Sequence, residues 1–337
     1  MAKTVYTGNL IESTGNEKFR GIIKGLTPPN KKGFGFVDVP AKDGKKAYRR
    51  IKFHVQTSND NSPLVELMGC PKEYAYAYSK TEGKSMKVEW VKRFNPLPKG
   101  YELMLPEFDF IKKLNEEFKD GDPVVLIGDK PRFSAYDNPK SGKIEEQSSN
   151  NIKSVYPCTD KIDFDAEDFK EEATFAEDIV VRDFMTDEKA GKAYLYAYVI
   201  GYGGKFNSAT FTLDLVTTDK TFLKNMKTLK FGDFIRINGV VQYKTLKKSV
   251  VVDGWGTAED VAEKPYKALE ITGADGATLF KKRYKIADFA ETQADKATAI
   301  FNGNITAAPV VAETIPFSTG TKENVAPVES VVLPFNI

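Results

Sequence analysis

Two tyrosine ladders are the spacing in this sequence that most directly suggests chemistry. Tyr74-Ala75-Tyr76-Ala77-Tyr78 and Tyr194-Leu195-Tyr196-Ala197-Tyr198 each repeat a phenol ring at every second position. Side chains alternate across a β-strand, so each ladder puts its tyrosines on one face and Ala or Leu on the other. Rings left open on a sheet stack on nucleobases, and each such stack is worth about 1–3 kcal/mol. The same rings would also serve as a packing surface beneath a neighbouring element or between subunits.

Cations accompany the aromatics. Glu89-Trp90-Val91-Lys92-Arg93-Phe94 reads as a strand with Trp90, Lys92 and Phe94 on one face. With the first ladder and the turn Thr81-Glu82-Gly83-Lys84, it predicts a projecting aromatic and basic hairpin. Arg93 lies beside it, and Arg132, Phe133, Tyr136, Tyr243 and Trp255 are further candidates on later strands. Lysine and arginine on such a surface neutralise phosphates and release counterions.

Catalytic constellations are scarce. The chain has 337 residues but one histidine, His54, and two cysteines, Cys70 and Cys158. No His cluster, Ser/His/Asp set or four-ligand zinc site can be assembled from these, and phosphate-cradling glycine motifs are missing. The expectation is a protein that is not an enzyme and needs no cofactor or metal, with His54 an ordinary strand residue. No run approaches the roughly 20 apolar residues of a membrane helix. The N-terminus shows no apolar secretory core, and a reduced, cytoplasmic setting is expected.

The elements that must hold these residues come from pattern. Residues 1–99 carry 19 Lys/Arg against 9 Asp/Glu, whereas 159–180 carry 2 against 9. The basic half would attract a polyanion, and the acidic stretch would compete for the same surface. An internal repeat is visible. Phe110-Ile111-Lys112-Lys113-Leu114 leads through Gly121-Asp122 into Val124-Val125-Leu126-Ile127-Gly128. Phe222-Leu223-Lys224-Asn225-Met226 leads through Gly232-Asp233 into Phe234-Ile235-Arg236-Ile237-Asn238-Gly239. Each copy is a short amphipathic helix followed by a strand, and a repeated unit means tandem related domains. Three strand patterns precede the second helix, at 179–185, 193–201 and 208–216. Three strands, a helix and two strands is the order of the OB-fold, a five-stranded Greek-key barrel. The first copy offers extra hairpins. The reading is mainly β with short helices: a first OB-fold domain at 1–157, an acidic linker at 158–177, and a second OB-fold domain at 178–265. A small appendix at 266–301 and a flexible tail at 302–337 follow, the tail rich in Ala, Val, Thr and Pro.

Two resemblances add to this. Lys32-Gly33-Phe34-Gly35-Phe36-Val37 resembles the K-G-F-G-F motif of cold-shock domains, and Lys52-Phe53-His54-Val55 resembles that family's second aromatic strand. This implies nucleic-acid contacts from Lys32, Phe34, Phe36 and Phe53. The helix-Gly-Asp-strand units, running to Tyr136 and Tyr243, are similar to those of OB-fold single-stranded-DNA-binding proteins, most of all the bacteriophage type. That resemblance implies coating of single-stranded DNA during replication and recombination. It also implies a C-terminal tip that recruits replication or recombination proteins. Leu333-Pro334-Phe335 comes close to that tip, though without its acidic flanks, and Ile315-Pro316-Phe317 repeats the Pro-Phe pair. Phe317 and Phe335 are therefore the candidate partner contacts. Two other functions fit the same residues: single-stranded RNA binding, and a structural or virion-assembly role with the tyrosine ladders as interfaces.

Overall fold

A computed structural model describes residues 10–27, 34–42, 44–138, 143–244, 247–251, 258–262, 266–279, 283–286 and 288–289. All belong to one compact unit, Met1–Thr292. Lys32, Trp255, Phe317, Phe335 and the expected tail at 302–337 lie outside the described residues.

The protein is mainly β with a few short helices. In chain order the strands are β1 (Gly15–Lys24), β2 (Gly35–Val39), β3 (Tyr48–Gln56), β4 (Leu64–Gly69), β5 (Tyr74–Ser79), β6 (Lys84–Glu89) and β7 (Glu102–Met104). Helix α1 (Glu107–Glu117) then precedes β8 (Pro123–Asp129), β9 (Arg132–Asn138) and β10 (Lys143–Pro157). The second half opens with β11 (Glu172–Asp187), β12 (Lys192–Ile200) and β13 (Phe206–Asp214). Helix α2 (Lys220–Met226), β14 (Phe234–Lys244), β15 (Lys247–Val251), β16 (Ala258–Ala262), β17 (Tyr266–Asp275) and α3 (Gly276–Leu279) complete it.

Pairing closes two circuits of five strands. In the first, β1 pairs β3, β3 pairs β4, β4 runs parallel to β10, β10 pairs β8, and β8 returns to β1. In the second, β11 pairs β12, β12 pairs β13, β13 runs parallel to β17, β17 pairs β14, and β14 returns to β11. The helix falls between the third and fourth strands of each circuit. The circuits share one mixed sheet because β1 pairs β11, Gly15 opposite Glu177 through Arg20 opposite Glu172.

The repeat seen in the sequence is a repeat of bonding. Gly121 N donates to Ile23 O at 2.9 Å and Ile23 N to Asp122 O at 3.0 Å. Gly232 N donates to Val181 O at 2.9 Å and Val181 N to Asp233 O at 2.9 Å. Both glycines hold positive φ, 93° and 86°, which favours a residue without Cβ. Each following aspartate turns its carboxylate back onto the amide three residues earlier, Asp122 on Lys119 and Asp233 on Lys230. Period-2 burial fills the interior: Ile51, Phe53 and Val55 on β3, and Ala193, Leu195 and Ala197 on β12. One apolar cluster runs through both circuits, from Phe19 and Phe53 to Phe175 and Phe211.

Several boundaries differ from the sequence reading. Residues 172–177, expected in the linker, are the start of β11, because Ala173 and Phe175 alternate into the core. The segment 266–301, expected to be an appendix, supplies β17, which closes the second circuit through Leu269 and Ile271. Residues 90–92 form a 3-10 turn, where a continuation of the strand was expected. The two tyrosine ladders are not equivalent. Strand β12 belongs to a circuit, whereas β5 is the middle strand of a separate sheet, β6-β5-β7.

Candidate nucleic-acid interface

Strand β3 turns Ile51, Phe53 and Val55 inward, so Lys52 and His54 stand on its outer face. The chain before β2 brings Phe34 over them. The Phe34 and His54 rings are stacked, with centroids 5.3 Å apart and planes 21° apart, and Lys52 Nζ lies 5.9 Å from the Phe34 ring centre. On the other side His54 meets Tyr243, at the end of β14, at 5.3 Å and 54°. An aromatic row therefore crosses from the first circuit to the second, all of it half-buried. His54 Nδ1 lies 2.8 Å from Ser62 O. A carbonyl only accepts, so this nitrogen carries the proton. Tyr243 pairs with Lys267, whose ammonium donates to Ser148 O. Burial pushes the Lys267 pKa down, partly offset by Glu17 and Glu66. His54, Lys52 and Lys267 were not among the contacts expected from the sequence. The first two were legible as outward positions on β3, but the meeting of His54 with Tyr243 is a long-range contact that no local pattern encodes.

The hairpin β9–β10 leaves the first circuit and lies against the second. Glu146 Oε2 accepts from Thr210 Oγ1 at 2.9 Å, and Thr210 is the cross-strand partner of Tyr196. Tyr136, 46% exposed, sits on this hairpin beside Glu145 and Glu146. Arg132 is exposed at its base. Phe133 points the other way, edge-on to Phe211 at 5.6 Å, and packs on the core.

The ladders divide. On β5, Ala75 and Ala77 are buried while Tyr76 and Tyr78 are exposed and Tyr74 is half-buried. Lys87 Nζ lies 5.5 Å from the Tyr74 ring centre. On β12, Tyr194 and Tyr196 face outward, half-buried. Tyr198 is occupied: Phe289 stacks on it at 4.6 Å and 27°, and the Arg182 guanidinium lies 4.9 Å from its ring centre.

Other expected contacts are used internally. Phe53 is 1% exposed and offers no face to a ligand, because it falls on the inward parity of β3. Phe36 is half-buried against the same core. Arg93 forms a two-pronged pair with Asp109 on α1, Nε to Oδ2 at 2.7 Å and Nη2 to Oδ1 at 3.0 Å. Its guanidinium also lies 4.1 Å from the Trp90 ring centre and 4.5 Å from that of Phe94. Arg93 is thus a bracket tying the 3-10 turn to α1. Trp90, Lys92 and Phe94 do not share a strand face, since the turn fans them apart. Trp90 is half-buried, edge-on to Phe108, whereas Lys92 and Phe94 are exposed.

Among the described residues no group of His, Cys, Asp or Glu could hold a metal ion, and no helix is long and apolar enough to cross a membrane.

The chain belongs to the YorF family, whose sequence profile matches residues 36–304. No curated protein matches it. Among solved structures it is similar to a deletion mutant of the single-stranded DNA binding protein from Thermus aquaticus. The identity is 8% and the TM-score 0.38, over 78% of this chain and 94% of that one.

Proposed function

We propose that this protein binds single-stranded DNA with little sequence preference, acting without catalysis of its own in DNA replication and recombination. Each five-stranded circuit is read as an OB-fold barrel. Its strand order, its parallel closure of third on fifth strand and its helix between third and fourth strands support that reading. In that fold the second and third strands, with the loops between strands 1 and 2 and between strands 4 and 5, carry oligonucleotides. In the first barrel those positions are β3, β4, the segment bearing Phe34, and the hairpin bearing Tyr136.

The observation that carries the reading is the row Phe34–His54–Tyr243 with Lys52 beside it. Bases stack on rings whatever their sequence, and cations track the backbone. Unstacked bases are available only in single strands. The test is a titration of a labelled oligonucleotide, single-stranded against double-stranded, at two salt concentrations. The expected result is preference for the single strand and a steep loss of affinity with salt. Equal binding to duplex, or affinity indifferent to salt, overturns the reading. An RNA competitor of the same sequence assigns the sugar.

A further inference from the structure

We propose that Asn61 is a positioning residue that holds the two barrels in register, so that they present one continuous track and not two tethered modules. This rests on the single-strand reading above.

Asn61 lies in the loop between β3 and β4 and is 1% exposed. Its side chain is fully engaged with the other half of the molecule. Nδ2 donates to Val241 O on β14 at 2.8 Å and to Glu171 Oε1 at 2.7 Å. Oδ1 accepts from Tyr243 N at 2.7 Å. The neighbouring Ser62 N donates to Tyr243 O at 3.0 Å, so the loop pairs with β14 like a short extra strand. Thr57 Oγ1 also bonds Glu171 Oε1, at 2.5 Å, which ties the segment leading into β11 to the same loop. Lys244 and Asp60 form an ion pair at 2.8 Å on the rim.

This junction sets the aromatic row. The Ser62 carbonyl accepts from His54 Nδ1 and the Ser62 amide donates to Tyr243 O. One residue of the loop therefore connects the His54 ring to the Tyr243 backbone, and Asn61 anchors that loop. Only a short amide supplies two donors and an acceptor here. Aspartate would keep an acceptor for Tyr243 N, lose both donors, and set a charge against Glu171. A strand laid across both barrels gains from each without ordering a hinge, because the second contact is pre-organised.

The test compares wild type with Asn61→Ala and Asn61→Asp on two oligonucleotides. One is about 6 nucleotides, within one barrel's reach, and one about 25, spanning both. The expected result is short-oligonucleotide affinity within about twofold of wild type and long-oligonucleotide affinity reduced about tenfold or more. Equal losses on both lengths would mean a merely structural role, and no loss on the long one would overturn the proposal outright. Amide exchange at Tyr243, read without nucleic acid, should quicken in Asn61→Ala, which removes the acceptor for Tyr243 N; unchanged exchange in that variant also overturns the proposal. If both variants fail to fold, Glu171→Ala at an exposed position serves. It removes one acceptor from Asn61 and Thr57 and should shift the long-to-short ratio about threefold in the same direction, an unchanged ratio counting against the proposal. Wild type that binds neither oligonucleotide defeats the single-strand reading itself. In that case, exchange at Tyr243 still reports whether Asn61 registers the barrels.

Discussion

His54 and Tyr243 stand with ring centroids 5.3 Å apart, yet they belong to strands of different circuits, β3 and β14. The only histidine of the chain thereby links the first circuit's aromatic pair to the second circuit.

Phe34 is the outermost ring of that row and only half-buried. Phe34→Ala should weaken single-stranded DNA binding by about 1–3 kcal/mol, the scale of one lost stack. The melting temperature should change little. An oligonucleotide titration with a parallel thermal melt checks both, and unchanged affinity would remove Phe34 from the interface.

Tyr76 probes whether the separate β6-β5-β7 sheet takes part. It is 46% exposed, opposite Met104 and Lys87. If the strand extends over this sheet, Tyr76→Ala costs about 1–3 kcal/mol on long oligonucleotides only. Binding unchanged at every length would confine the track to the two circuits.

Arg93 should behave in the opposite way. Its pairing with Asp109 is largely shielded from water, and removing one partner of a buried pair costs about 3–5 kcal/mol. Arg93→Ala is expected to lower stability by an amount toward the bottom of that range, since the guanidinium retains some solvent contact. Folded protein should retain its DNA affinity. A loss of affinity at unchanged stability would return Arg93 to the set of phosphate contacts.

Glu17 and Glu177 give a pH dependence at the β1–β11 seam. Both are fully buried, and among the described residues the Glu177 carboxyl oxygens have no hydrogen-bond partner. Burial pushes the Glu177 carboxyl up to about 9, against Lys130 and Arg236, which lower it, and Asp178, which raises it. Burial likewise raises Glu17, with Glu177 and Asp129 adding to the rise, and the Asn151 backbone and Lys267 opposing it. The folded state therefore holds protons that the unfolded state has released above the ordinary carboxylate range. Stability should fall as pH rises from about 4.5 toward about 9 and level off beyond. Glu177→Gln removes part of that slope and should be more stable than wild type at pH about 8. Denaturant melts across the pH range check this; a variant with the wild-type slope would show that Glu177 does not carry it.

Several elements were legible in the sequence. The helix-Gly-Asp-strand repeat was legible because Gly121 and Gly232 need positive φ and the aspartates close local turns. The ladder faces were legible because strand side chains alternate, and Ala75, Ala77, Ala193 and Ala197 are indeed buried beneath their tyrosines. Which rings meet was not legible there. Phe53 and Phe36 carry the same motif character as Phe34, but inward parity or core packing withdraws the first two. Tyr198 has the ladder spacing of Tyr194 and Tyr196, yet Phe289 covers it from 91 positions away. Arg93 reads as a free cation until Asp109 on α1 claims it. Local pattern fixes which face of a strand a side chain takes, because that follows from backbone geometry. The partner it meets there is set by strand pairing across the whole chain, and β17, β1 with β11, and the Asn61 loop are long-range choices that no window of sequence contains.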